Sequence, residues 1–170
     1  VLAYSVTFED NGTYDTTRQK NLTLNGVAYR VLKILEHNGD SISRDFHIVL
    51  DDSGNYVFDV DEGFTLDRFR ADIYGQALID NLTEKQKSAT ADEMMEYLTG
   101  KSGFSIALYV EDAYTQEELE AYDLPEELSK QEILDLAIMR YELSTNSFKK
   151  YMAVTIATNV SEQSVAAIKE

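Results

Sequence analysis

Up to Val60 the apolar positions recur mainly with a period of two. Leu2, Tyr4, Val6 and Phe8 alternate with small or polar residues, which predicts a half-buried strand ending at Asp10-Asn11-Gly12. Thr13 to Lys20 is polar and reads as a loop or a ragged edge strand. The densest β signal follows, from Leu22 to Val60. Leu22-Thr23-Leu24 and Val27-Ala28-Tyr29 flank Asn25-Gly26, a dipeptide suited to the positive φ values of a type I′ turn. A second turn at Asp52-Ser53-Gly54-Asn55 separates Phe46–Leu50 from Tyr56–Val60, and a bulge at Gly54 aligns Ile48 and Leu50 with Tyr56, Phe58 and Val60. Together these predict an antiparallel meander. Ala28, Val31, Leu32 and Leu35 also fit a helical face closed by Asn38-Gly39, but the neighbouring turn dipeptide and the β-branched residues favour a strand over 27–36.

Past Gly63 the period lengthens to that of a helix. Leu66, Phe69, Ile73, Tyr74, Ala77, Leu78 and Leu82 form one stripe with Thr65 as N-cap, predicting a long helix across the meander. Thr83 to Ala89 reads as a polar, mobile link. Thr90-Ala91-Asp92-Glu93, Thr115-Gln116-Glu117-Glu118 and Ser129-Lys130-Gln131-Glu132 are capping boxes, each opening a helix; Pro125 sits where a first helical turn tolerates it. The first of these helices ends at Gly100, and the third, Lys130 to Leu143, has an apolar face wide enough for a central helix. Phe104 to Val110 and Tyr151 to Thr158 read as strands, the second followed by a helix capped by Ser161 and running through Val165 and Ile168. Residues 148–158 also fit a helix through Phe148, Tyr151, Met152, Thr155 and Ile156; the β-branched run from Val154 to Ile156 favours the strand. The expected fold class is α+β, an N-terminal antiparallel β-meander packed with helices and a C-terminal βαβ unit. It forms a single domain over 1–170, with a mainly β layer over 1–62 and a mainly helical part over 63–170.

Composition adds constraints. The 170 residues are 44% hydrophobic and 27% charged, enough to bury a core without disulfides or a structural metal. Cysteine is absent, which excludes disulfide, thiolate and zinc–thiolate chemistry. A net charge of −16 repels a nucleic-acid backbone and suits cation binding, basic protein partners or solubility alone. No apolar run reaches the length of a membrane span, and the chain opens at Val1, as a trimmed or a processed chain does. Membrane attachment is therefore expected only through an anchor outside this chain.

The candidate chemistry is thin. Asp51, Asp52, Asn55, Asp59 and Asp61 place oxygen ligands around a turn and raise calcium as the one cofactor to consider, although they depart from the D-x-[DN]-x-[DN]-G loop. Tyr109, Tyr114, Glu117, Glu118, Glu120, Tyr122 and Asp123 combine phenols with the densest acidic segment, a pattern suited to a protein or carbohydrate contact. His37 beside Glu36 and His47 near Asp45 are the only imidazoles; no metal-ligand spacing joins them, and a turn and an outer strand face account for them. No catalytic residue is assigned.

Two local resemblances accompany this reading. Leu22-Thr23-Leu24, Tyr29-Arg30, Leu32, Leu35 and Ile42-Ser43-Arg44 resemble the winged-helix DNA-binding domains of bacterial response regulators, which implies a short strand entering a helix and a second helix opened by the Ser-Arg pair. Asp45, Asp51, Asp52, Asp59 and Asp61 then stand where a basic recognition surface is needed. Ser147-Phe148-Lys149-Lys150 and Lys101-Ser102-Gly103 resemble motifs of the serine β-lactamase and penicillin-binding families, but in reversed order and without the S-x-N motif between them. The leading expectation is a non-catalytic, extracytoplasmic binding or structural module of a Gram-positive-type bacterial surface or secreted protein, with a protein partner. The rival is an intracellular acidic protein that inhibits a basic partner by mimicking nucleic acid. A small hydrolase or winged-helix-like regulator comes third.

Overall fold

A computed structural model describes residues 4–8, 12–106, 112–145 and 154–169. The chain is α+β, and its largest departure from the sequence pattern comes first. Thr16 opens a helix, α1 (Thr17–His37), by accepting the Gln19 N–H on its Oγ1 at 3.0 Å. Asn21, Asn25, Ala28, Leu32 and Leu35 are its buried stripe, repeating every three or four residues. One continuous helix thus replaces the expected Asn25-Gly26 hairpin with its flanking strands, and the polar stretch from Thr17 to Lys20 is its first turn. Helix over 27–36, closed by Asn38-Gly39, is the alternative that the apolar spacing also fitted. Gly39, at φ 78, ends α1 in a Schellman motif: its N–H donates to the Glu36 carbonyl and that of Asp40 to the Leu35 carbonyl, at 3.1 and 2.8 Å.

Tertiary partners explain why a turn dipeptide sits mid-helix. Asn25 is 1% exposed, and its Nδ2 donates to the carbonyls of Phe104 and Ser105 at 3.1 and 3.3 Å. Its Oδ1 accepts from Arg140, at 2.6 Å. Gly26 lies against the Tyr122 backbone, where a Cβ would stand 2.3 Å from the carbonyl oxygen. With Leu22-Thr23-Leu24 inside a helix and Ile42-Ser43-Arg44 in irregular chain, the winged-helix resemblance does not extend to the fold.

The second hairpin forms as expected. β2 (Ile48–Leu50) pairs antiparallel with β3 (Tyr56–Phe58), in the register Ile48↔Phe58 and Leu50↔Tyr56. Asp51 closes the loop twice: its carbonyl accepts the Gly54 N–H at 3.0 Å and its N–H donates to Asn55 at 2.9 Å. Gly54 at φ 79 is the bulge residue.

α2 (Phe64–Ile73) is shorter than the stripe suggested. Gly63, at φ 152, is its N-cap in place of Thr65, and the Asp67 N–H reaches the Gly63 carbonyl at 3.0 Å. Gly75 at φ 73 closes it in a second Schellman motif, so Leu78 and Leu82 belong to the connection that follows. That connection is structured, correcting the expected polar link: a 3₁₀ turn (Ile79–Asn81) leads into α3 (Glu84–Lys87), opened by a capping box of Thr83 and Gln86. The three expected capping boxes open α4 (Ala91–Thr99), α5 (Gln116–Ala121) and α6 (Lys130–Ser144). Pro125 lies between α5 and α6, outside both helices. Phe104, Ser105 and Ile106 are not strand; their N–H groups cap the end of α4 by donating to Leu98, Gly100 and Thr99. The rest of that expected strand, 107–110, lies outside the described residues.

β1 (Tyr4–Phe8) pairs antiparallel with β4 (Val154–Val160), which joins the two ends of the chain. β4 therefore belongs to an antiparallel ribbon, and no βαβ unit is present among the described residues. Ser161 caps α7 (Glu162–Lys169) as expected, and the Asp40 carboxylate supports it from the end of α1, accepting from the Ser161 N–H and Oγ and from the Ser164 Oγ. α6 packs against α1, α4, β2 and β4, and apolar residues are buried around most of its circumference. The main core gathers around it, and a smaller cluster of Leu22, Tyr114, Leu119 and Leu124 seats α5 on α1.

Gly26→Ala tests that seating. On an exposed helix alanine gains about 1 kcal/mol over glycine. Here the new Cβ must push the Tyr122 backbone away, so the expected change is a net loss of about 1–3 kcal/mol in urea unfolding. A gain in stability would mean that α5 is not seated on α1.

Candidate functional site

A cleft of about 450 Å³ lies where α2, α3 and α4 converge. Tyr74 reaches it from the end of α2, Glu93, Glu96 and Tyr97 from one face of α4, and Lys85 and Gln86 from α3. Ala89, 2% exposed, also lines it. Arg70, one turn before Tyr74 and itself 2% exposed, holds this wall by donating to the Ala89 carbonyl from Nε and Nη2 at 3.2 and 2.9 Å. Glu62 meets the same guanidinium with both carboxylate oxygens, at 3.1 and 3.2 Å, and the Phe58 ring lies under it at 5.2 Å. The aromatic side of the cleft is therefore built on a braced support.

The two phenol rings stand 4.8 Å apart between centroids, tilted by 50°. Both are half-buried, and neither hydroxyl makes a hydrogen bond among the described residues. Burial, then the nearby Glu93 charge, raises the Tyr74 phenol above its ordinary value, so it stays protonated and able to donate. The Thr90 N–H holds the Glu93 carboxyl below the usual carboxylate range. Glu96 is exposed, and its carboxylate has no ion pair or hydrogen bond among the described residues. The arrangement offers π-faces, hydroxyl groups and a carboxylate, which equips it for recognition.

The acidic segment singled out from the sequence is put to other use. Tyr114 is 8% exposed, donates its hydroxyl to the Ser105 carbonyl at 2.7 Å and carries the Arg18 guanidinium over its ring at 4.8 Å. Glu118 accepts from Arg18 Nε and Nη2, both at 2.7 Å, while completing its capping box. Asp123 pairs with Arg30 at 2.6 Å, and the Tyr122 backbone meets Gly26. These contacts dock α5 on α1, whereas Glu117 and Glu120 are exposed and Tyr109 lies outside the described residues.

The hairpin oxygens are also dispersed. Asp51 Oδ1 accepts the N–H groups of Ser53 and Asn55, both at 2.9 Å, and Asp59 binds His47 Nδ1 at 2.9 Å. Asp52, Asn55 and Asp61 are exposed. Among the described residues no three His, Asp or Glu side chains gather to hold a metal ion. His37 is the last residue of α1 rather than part of a turn. Lys101-Ser102-Gly103 forms a turn after α4, and Ser147 to Lys150 lie outside the described residues. A second cleft, about 270 Å³, brings Asp45 and Glu142 together beside Ser43; burial, then the Asp45 charge, raises the Glu142 carboxyl.

No protein-family model matches this chain, and neither curated proteins nor solved structures give a match. Among the described residues no helix is long and apolar enough to cross a membrane. Sequence reasoning missed the Tyr74–Tyr97 cleft because it placed Tyr74 on a core stripe and did not single out Tyr97. The available signal was Glu93, Glu96 and Tyr97 on one helical face.

Arg18, then the Thr115 N–H, moves the Glu118 carboxyl from 4.5 down to about 2. A depressed folded value means stability that is present above 4.5 and lost as pH falls towards about 2. Glu118→Gln should therefore lower the melting temperature at neutral pH, and its gap from the parent should close over that acid window. A gap constant with pH would show that the carboxylate does not hold α5 through Arg18.

Proposed function

We propose that this chain is a non-catalytic binding module of a Gram-positive-type bacterial surface or secreted protein, and that its partner meets the Tyr74–Tyr97 cleft. The observation that carries the reading is the convergence, in one cleft of about 450 Å³, of two half-buried phenols and a carboxylate that other described residues do not engage. Tyrosine suits such a role because it presents a rigid apolar face with a polar tip, at little conformational cost. The most buried charged groups have structural duties instead: Arg70 braces the cleft, Asp135 binds Arg44, and Arg140 joins α6 to α1. The cysteine-free composition is as compatible with the extracytoplasmic placement as with an intracellular one, and any membrane attachment would be supplied by an anchor outside this chain.

The second reading is an intracellular acidic protein that occupies a basic partner in place of nucleic acid. It rests on the net charge of −16 and on Glu117, Glu120, Glu126 and Glu127, all exposed around α5.

Protease shaving of intact cells that express the native gene separates the two: peptides released while cells stay sealed support the outward placement. Release only after lysis overturns it and makes the acidic mimic the leading reading. The cleft is tested by sedimentation with washed cell envelopes, where the parent should be retained and Tyr97→Ala and Glu96→Gln should be lost to the supernatant. Equal retention of all three would remove the cleft from the proposal.

A further inference from the structure

We infer that the group taken up by this cleft is an organic ammonium, seated against the Tyr74 and Tyr97 rings with Glu96 as its counter-charge. The inference rests on the proposal that the cleft binds a partner. A cation within about 6 Å of a tyrosine centroid is attracted to the negative face of the ring. Centroids 4.8 Å apart allow one cation to lie within that reach of both rings. Elsewhere the protein covers its own rings in this way, with Arg18 over Tyr114 at 4.8 Å and Lys130 over Tyr56 at 4.6 Å. Among the described residues no cation lies over the Tyr74–Tyr97 pair, although both rings line open space.

Charge points the same way. Glu96 adjoins Tyr97 on α4, and the overall charge of −16 raises the local concentration of cations over anions. A neutral saccharide needs convergent free donors and acceptors, and part of the polar lining is already engaged. Gln86 Oε1 accepts the Thr83 N–H at 3.0 Å, and Thr83 Oγ1 accepts the Gln86 N–H at 3.1 Å. Two of the protein's own cations compete here: Lys85, whose charge acts on Glu93, and Arg70, whose charge acts on Tyr74 but which Glu62 neutralises. Lys85 is the exposed one. Removing it should help an incoming cation.

The test is NMR of the full chain with ¹³C-labelled tyrosine rings, titrated with choline and, in parallel, with a neutral maltooligosaccharide. Choline should saturably shift the Tyr74 and Tyr97 ring signals. Glu96→Gln should weaken that binding about fivefold and Lys85→Gln should tighten it by a similar factor, as expected for one charge near a protein surface. Both substitutions are on exposed positions, so unchanged spectra elsewhere will certify the fold. Saturation by the oligosaccharide without choline binding overturns the ligand class and leaves the cleft reading standing. If neither probe moves these rings while Tyr97→Ala still releases the protein from envelopes, the ammonium inference fails alone. If neither probe moves them and the envelopes retain Tyr97→Ala, both fail together.

Discussion

A buried guanidinium sets the terms for this fold. Arg140, 4% exposed on α6, donates to Asn21 Oδ1 at 2.9 Å and to Asn25 Oδ1 at 2.6 Å, and its guanidinium lies over the Phe104 ring at 4.8 Å. A charge in that position is tolerable only where its donors find acceptors, so α1, α6 and the turn after α4 must reach register together. The network also directs Asn25 Nδ2 to the carbonyls of Phe104 and Ser105, and the Tyr114 hydroxyl meets the same Ser105 carbonyl. One arginine thereby links the central helix to the segment on which α5 is seated.

Arginine links two other junctions as well, one guanidinium buried (Arg70) and one exposed (Arg44). Arg44 binds Asp135, 0% exposed, through both carboxylate oxygens at 2.9 Å, tying the chain before β2 to α6. Arg70 joins α2 to the chain before α4 and to Glu62. The planar five-donor fork of arginine suits these places, since it satisfies carbonyls and carboxylates from several elements at once. With 15 basic residues against 31 acidic ones, many cations are engaged in such links, and acids such as Glu96, Glu117, Glu120, Glu126 and Glu127 are left exposed. The Tyr74–Tyr97 cleft inherits its rigidity from the third link, because Arg70 holds Ala89 within the wall.

Local chemistry was legible where it was self-contained and followed by a periodic stripe. The boxes at Thr90, Thr115 and Ser129 open helices because the bonds that nucleate them lie within four consecutive residues. The Asp51–Asn55 loop closes on itself for the same reason. The box at Thr83 has the same logic but opens a helix of only four residues, too short to show a periodic stripe. The cleft was not legible, since its walls come from α2, α3 and α4 and its tyrosines look like core positions when each helix is read alone.

From sequence alone, the α+β class, the three helices opened by the boxes at Thr90, Thr115 and Ser129, the second hairpin and the terminal strand-and-helix pair were determined, each by periodicity or capping within a short window. Only the tertiary structure decided that Asn25-Gly26 lies inside a helix. Its reasons sit far along the chain, at Phe104, Tyr122 and Arg140, and long-range partners overrode the local preference for a turn. It also decided that the first strand pairs with the last, a match between segments some 150 residues apart that carries no local signal.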